Sequence, residues 1–266
     1  MSSSPTDTRS PSEVQPDARP EPVGVGISAR KLTRRFGSHV AVDQLTLEIA
    51  PLTCFGLLGA NGAGKTTFIR MVTGYLLPSD GELTVGGLSP AKDPHEVNKQ
   101  LGFVMETTRL YPELRVIGLL NFLAGARGLS GPSARTAVET VIDRFHLEGV
   151  TKRLIGNLSK GYQQRVSLAQ AFLHDPPMVI VDEPTGGLDP VQYGEVHEIL
   201  RGLRGERTVV LCTHDLEEAR ALTSRVAVLN AGKLVVEGDT ETLLGSGDAL
   251  ALFKSSGSPQ TAKEAE

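Results

Sequence analysis

Nine consecutive residues carry the clearest chemistry in this chain: Gly59-Ala60-Asn61-Gly62-Ala63-Gly64-Lys65-Thr66-Thr67 fits G-x-x-x-x-G-K-[ST] at every fixed position. Glycines at 59, 62 and 64 are expected to take positive φ and turn backbone N–H groups inward, forming a concave nest for phosphate oxygens. The apolar run Cys54-Phe55-Gly56-Leu57-Leu58 before it reads as a buried strand, and Thr67 to Val72 after it reads as a helix. A helix amino terminus adds partial positive charge to the nest. Lys65 is placed to reach the β- and γ-phosphates of a nucleoside triphosphate, and the Thr66 hydroxyl to ligate Mg²⁺. The chain is therefore expected to hold a nucleoside triphosphate.

A second group stands at the end of another apolar strand, Met178 to Val181, which runs into Asp182-Glu183. Ligands in α/β sheets bind outside the carboxyl ends of the strands, where this pair falls. Asp182 is expected in the Mg²⁺ shell, directly or through water, and Glu183 to orient an attacking water and accept its proton. Alone, two acids at a strand end are more often solvated surface groups. Beside a phosphate loop they form the pair that hydrolysis of a magnesium-bound triphosphate requires.

Elements must hold these groups together, and the sequence supplies an alternation of strands and helices, hence an α/β architecture with a largely parallel sheet. Ile27 to Phe36 and Ala41 to Ile49 alternate apolar and polar residues, as a small antiparallel element would. Further strands are expected at Gly81 to Gly87, Leu101 to Met105, Thr208 to Cys212 and Val226 to Leu229, with a crossover helix from Gln192 to Leu203. Apolar residues at helical spacing from Val116 to Leu129 and from Ser133 to Phe145 mark a helical insertion.

Composition sets the limits. The 266 residues suffice for one large domain or two modest ones, and 39% hydrophobic content supports a proper core. A net charge of −4 gives no general attraction to nucleic acid, which is not expected as a partner. Cys54 and Cys212 lie in apolar strands and read as buried small hydrophobes, in keeping with a reducing cytoplasm. No apolar stretch approaches the roughly 18 residues of a membrane span, and the amino terminus lacks a signal-peptide pattern. Residues 1–22, rich in Pro and Ser, and the end of the 246–266 extension read as disordered tails.

The remaining motifs bring a family into view. Leu158-Ser159-Lys160-Gly161-Tyr162-Gln163-Gln164-Arg165 resembles the L-S-G-G-Q signature of the ATP-binding cassette (ABC) transporter ATPases, with Lys160 and Tyr162 as replacements similar to those of exporters whose permeases are separate polypeptides. Read physically, Ser159 is a good N-cap and the helix from Gly161 to Leu173 opens with free N–H groups toward a neighbour. The resemblance implies that this neighbour is the γ-phosphate of ATP held by a second cassette. It further implies that Asp189, in Glu183-Pro184-Thr185-Gly186-Gly187-Leu188-Asp189-Pro190, touches the opposite cassette. His214 in Cys212-Thr213-His214-Asp215 is similar to the switch histidine at the γ-phosphate, and Phe36 in Arg35-Phe36-Gly37 to the aromatic that stacks on adenine. A packing role for Phe36 stays open.

Two departures stand out. Glu106 falls where most of the family has the glutamine of its Q-loop, and a glutamate can ligate Mg²⁺ or orient water but cannot donate as an amide does. Ala50-Pro51-Leu52-Thr53-Cys54 lacks the family's Lys-Gly-Glu turn, so a local change is expected there. The resemblance covers Val25 to Leu244 and implies a P-loop cassette with a RecA-like core, a small antiparallel sheet and a helical subdomain over about 90–173, all within an ATP-binding domain spanning 23–245. Its implied role is an ATP-hydrolysing subunit that powers export through a separate integral membrane permease. That permease would touch the groove from Glu106 to Tyr111 at the cytoplasmic face of the membrane. The second cassette would be another copy of the chain. The alternative, a soluble ABC ATPase of DNA repair or translation, usually carries coiled-coil arms or two fused cassettes, and neither a repeat nor a heptad run is present.

Overall fold

The computed structural model describes residues 24–106 and 110–245, so the expectations for both tails and for positions 107–109 of the groove lie outside it. Two sheets organise the chain. Strands β1 (Ile27–Phe36), β2 (His39–Ile49) and β4 (Asp80–Val85) form an antiparallel sheet in the order β2-β1-β4. The other sheet has six strands, ordered β5 (Leu101–Val104), β6 (Met178–Asp182), β7 (Thr208–Thr213), β3 (Cys54–Leu58), β8 (Arg225–Asn230) and β9 (Lys233–Asp239). Its first five strands are parallel and β9 closes it antiparallel. Every residue of β3, β6 and β7 is buried, which is why these strands read as unbroken apolar runs.

Helix α1 (Lys65–Val72) follows β3 and buries Phe68, Ile69, Met71 and Val72 in one core with the antiparallel sheet. The opposite face of the six-stranded sheet carries a second core. It is built from α3 (Val116–Ala126), α4 (Gly131–Arg144), α5 (Lys160–Phe172) and α6 (Pro190–Arg201). Strand β5, expected as a strand within the 90–173 span given to the helical subdomain, hydrogen-bonds to β6 in the core sheet, so the helical packing begins beyond it. Short α2 (Pro94–Lys99) precedes β5, while α7 (Leu216–Leu222) and α8 (Thr240–Gly245) complete the carboxyl side.

The altered turn before β3 has a local explanation. Leu52 takes φ of 59°, a left-handed conformation that costs a non-glycine residue, and its N–H donates to Thr208 Oγ1 at 2.8 Å. Cys54 and Cys212 are free and buried, as expected.

Candidate nucleotide site

The loop between β3 and α1 forms the floor of a cleft of about 330 Å³. Ala60 to Thr67 line it together with Glu106, Asp182 and Glu183, so three separate segments expected to act together do converge. Gly62 and Gly64 take φ of 84° and 106°, the left-handed values expected of a phosphate nest. Gly59 is different: its φ is not positive, and its demand is for space, because a Cβ there would lie 2.7 Å from Leu229 O and 2.8 Å from Ala63 Cβ. Helix α1 begins at Lys65, two residues earlier than expected, so the first-turn N–H groups, which lack intrahelical partners, belong to the loop itself.

Lys65 is buried at the centre, where its Nζ donates to Gly59 O at 2.5 Å and sits 3.8 Å from Glu183 Oε1. That Oε1 atom is buried without a hydrogen-bond partner, while Glu183 Oε2 lies 2.8 Å from His214 Nδ1. The pair therefore has one carboxylate oxygen engaged by an exposed imidazole and the other held near a lysine charge. Glu183 itself adopts φ of 48°, a left-handed backbone that an L residue enters at a cost of about 1–3 kcal/mol, and its N–H donates to Cys212 O at 2.8 Å. Strain of this kind aims the side chain out of the strand direction toward the loop.

Burial and the negative charge of Glu183 push the Asp182 carboxyl up to about 6, with Glu106 adding to the rise and Lys65 and Arg70 opposing it. Thr66, Glu106 and Asp182 present only oxygen donors to the cleft, the set a hard cation such as Mg²⁺ takes, and a cation would relieve the like-charge repulsion around Asp182. Among the described residues no group of three His, Cys, Asp or Glu side chains is gathered as a metal cage. The protein donors thus suit a Mg²⁺ that takes its remaining ligands from phosphate and water.

Ser159, Lys160, Gly161 and Asp189 do not line this cleft. They sit at two helix starts: Ser159 caps α5, its Oγ accepting from Tyr162 N at 3.4 Å, and Asp189 caps α6 by accepting from Val191 N and Gln192 N. Gly161 N–H, expected to be free, donates to Gln192 Oε1 at 3.0 Å. The reason is steric as well as polar, since a Cβ on Gly161 would meet Gln192 Cγ at 2.7 Å. Gln192 carries no sequence signal for this role, being 31 residues away on a different helix. Phe36 also lies outside the cleft lining, 46% exposed, with the Arg34 guanidinium 4.6 Å above its ring. Across the β1-β2 hairpin, His39 pairs with Phe36 and does line the cleft, as does Ala41. Both went unnoticed in the sequence because neither belongs to a spaced motif.

A glycine-rich loop between a central parallel strand and a helix, facing paired acids at the end of β6, the next strand but one, defines a nucleotide-binding protein of the P-loop class. The sequence profile described as ABC transporter matches residues 42–186. The chain is 35% identical over 221 residues to the Nod factor export ATP-binding protein I of Cupriavidus metallidurans, covering 83% of this chain and 73% of that protein. It is also 35% identical to the bacitracin transport ATP-binding protein BcrA of Bacillus licheniformis, over 79% of this chain and 69% of that one. Among solved structures, the dimeric MJ0796, a bacterial ABC transporter cassette, matches with a TM-score of 0.71 and 26% identity over 80% of this chain and 98% of its own. The chain belongs to the ABC transporter family, as an ATP-binding subunit.

Proposed function

We propose that this subunit hydrolyses ATP as one of two identical cassettes and so drives export through a separate membrane permease. The observation that carries the chemistry is the Glu183-His214 contact at 2.8 Å beside Lys65. Lys65 neutralises the terminal phosphates, Glu183 accepts the proton of the attacking water, and His214 holds the Glu183 carboxylate while its exposed ring faces the γ-phosphate side. Bound Mg²⁺, held by Thr66, Asp182 and Glu106, would supply charge neutralisation at the phosphate oxygens. Phe36 stacks on the adenine, with Arg34 backing its other face.

The site in one chain is incomplete, because Ser159, Lys160, Gly161 and Asp189 lie outside its cleft. A second copy supplies them across the interface, and the dimeric cassette structure similar to this chain supports that arrangement. No helix among the described residues is long and apolar enough to cross a membrane. A groove of about 900 Å³ shares Thr66, Glu106 and Asp182 with the nucleotide cleft and is edged by exposed Tyr75, which fits a permease segment that senses the nucleotide directly. The names of the relatives favour export. The replacement Glu183→Gln should keep ATP binding and slow turnover on the order of 10²–10⁴-fold, whereas wild-type turnover would remove the base assignment.

A further inference from the structure

Behind the catalytic pair lies an acid that the mechanism above does not use. Glu218, on α7, is 1% exposed, and its Oε1 accepts from Thr185 Oγ1 at 2.7 Å. Thr213 Oγ1, fully buried, accepts from Asp215 N at 2.9 Å, and Asp215 Oδ1 in turn accepts from Glu218 N at 3.3 Å. Thr185 stands two residues after Glu183, and Thr213 immediately before His214. One buried carboxylate therefore joins the turn after Glu183 to the helix that starts just beyond His214.

Burying this acid is costly, and nothing nearby offsets it fully. Burial and the charges of Glu183 and Asp215 raise its pKa against the opposing effect of the threonine hydroxyls. The nearest basic group, His197 on α6, is itself buried, stacked on Tyr193 with centroids 4.1 Å apart and pushed toward its neutral form. Its Nε2 stops 3.6 Å from Glu218 Oε1 and has no hydrogen-bond partner. An apolar residue would fill such a position at lower cost, whereas only a hydrogen-bond acceptor can hold the Thr185 hydroxyl. The left-handed turn at Glu183 needs such an anchor, since strained backbone persists only where its surroundings over-determine it.

We propose that Glu218 is a positioning residue for hydrolysis, its carboxylate clamping the turn after Glu183 to the helix that starts just beyond His214 so that Glu183 and His214 stay in hydrogen-bond contact. This rests on the assignment of Glu183 and His214 above. Displacement of a reacting group by about 1 Å costs up to roughly 10²-fold in rate. Glu218→Ala should thus lower kcat for ATP by about 10–100-fold while leaving KM and nucleotide affinity within about twofold. In a Glu183→Gln background the same change should add less than about twofold, because the clamp acts through Glu183. Thr185→Val removes one arm of the clamp with little change in volume and serves if Glu218→Ala fails to fold; it should lose kcat in the same way, and Thr185→Ser should restore it. An unchanged kcat, an equal rise in KM, or the same fold-loss on top of Glu183→Gln would overturn the clamp while leaving the base assignment intact. Wild-type turnover in Glu183→Gln alone would overturn both.

Discussion

The phosphate cleft and the Ser159 turn are both built on helix amino termini, yet they are left in opposite electrostatic conditions. In the cleft, charge is concentrated and poorly satisfied: Lys65 is buried, Glu183 Oε1 has no hydrogen-bond partner, and Asp182 is driven toward its neutral form. At the Ser159 turn, the helix donors are covered by Ser159 and Gln192, and the flanking Asp189 is spent on capping α6. The first region stores unfavourable electrostatics that a magnesium-bound triphosphate would relieve. The second is a satisfied surface; in the proposed dimer a phosphate would enter it by displacing Gln192 from Gly161, which suits a reversible contact between chains.

The sharpest way to break this contrast is at Glu183. If the cleft is the reacting half, Glu183→Gln costs the full 10²–10⁴-fold or so in turnover, whereas no single change at the Ser159 turn of an isolated chain alters its nucleotide affinity. Lys65→Ala comes next and reports on binding. Loss of a charged hydrogen-bond donor to phosphate should weaken ATP affinity by about 10–100-fold by titration calorimetry, and unchanged affinity would move the phosphate away from the loop.

The smallest effect concerns stability. The fold favours protonated Asp182, so the contribution of this group worsens as pH rises from about 4 through about 6 and is at its least favourable at pH 7. Asp182→Asn should therefore raise the Tm of the nucleotide-free chain by about 2–4 °C near pH 7.5, and by less at pH 5, while weakening magnesium-dependent nucleotide binding. A lower Tm at both pH values would mean that the carboxylate stabilises the fold.

The sequence was most legible where physics couples spacing to structure. Continuous apolar runs located β3, β6 and β7, and the glycine-lysine pattern located the loop, because each obeys a local rule. Strand β9 was missed, since Lys233–Asp239 is half-exposed and antiparallel at a sheet edge and lacks an apolar run. Helices α2 and α7, at 6 and 7 residues, are too short for a periodicity to declare itself. The long-range contacts were out of reach for another reason. Gln192 on Gly161, Glu218 on Thr185 and His39 in the cleft depend on how elements stack, and no spacing within one segment encodes them.

The central claim is that one chain holds the reacting half of each site and a second chain the Ser159 half. Sedimentation velocity of the Glu183→Gln chain with ATP and Mg²⁺ tests it most directly. The mass should double with ATP and return to that of a single chain when Gly161→Glu places a carboxylate at the turn. A single-chain mass throughout, with ATP demonstrably bound, would contradict it.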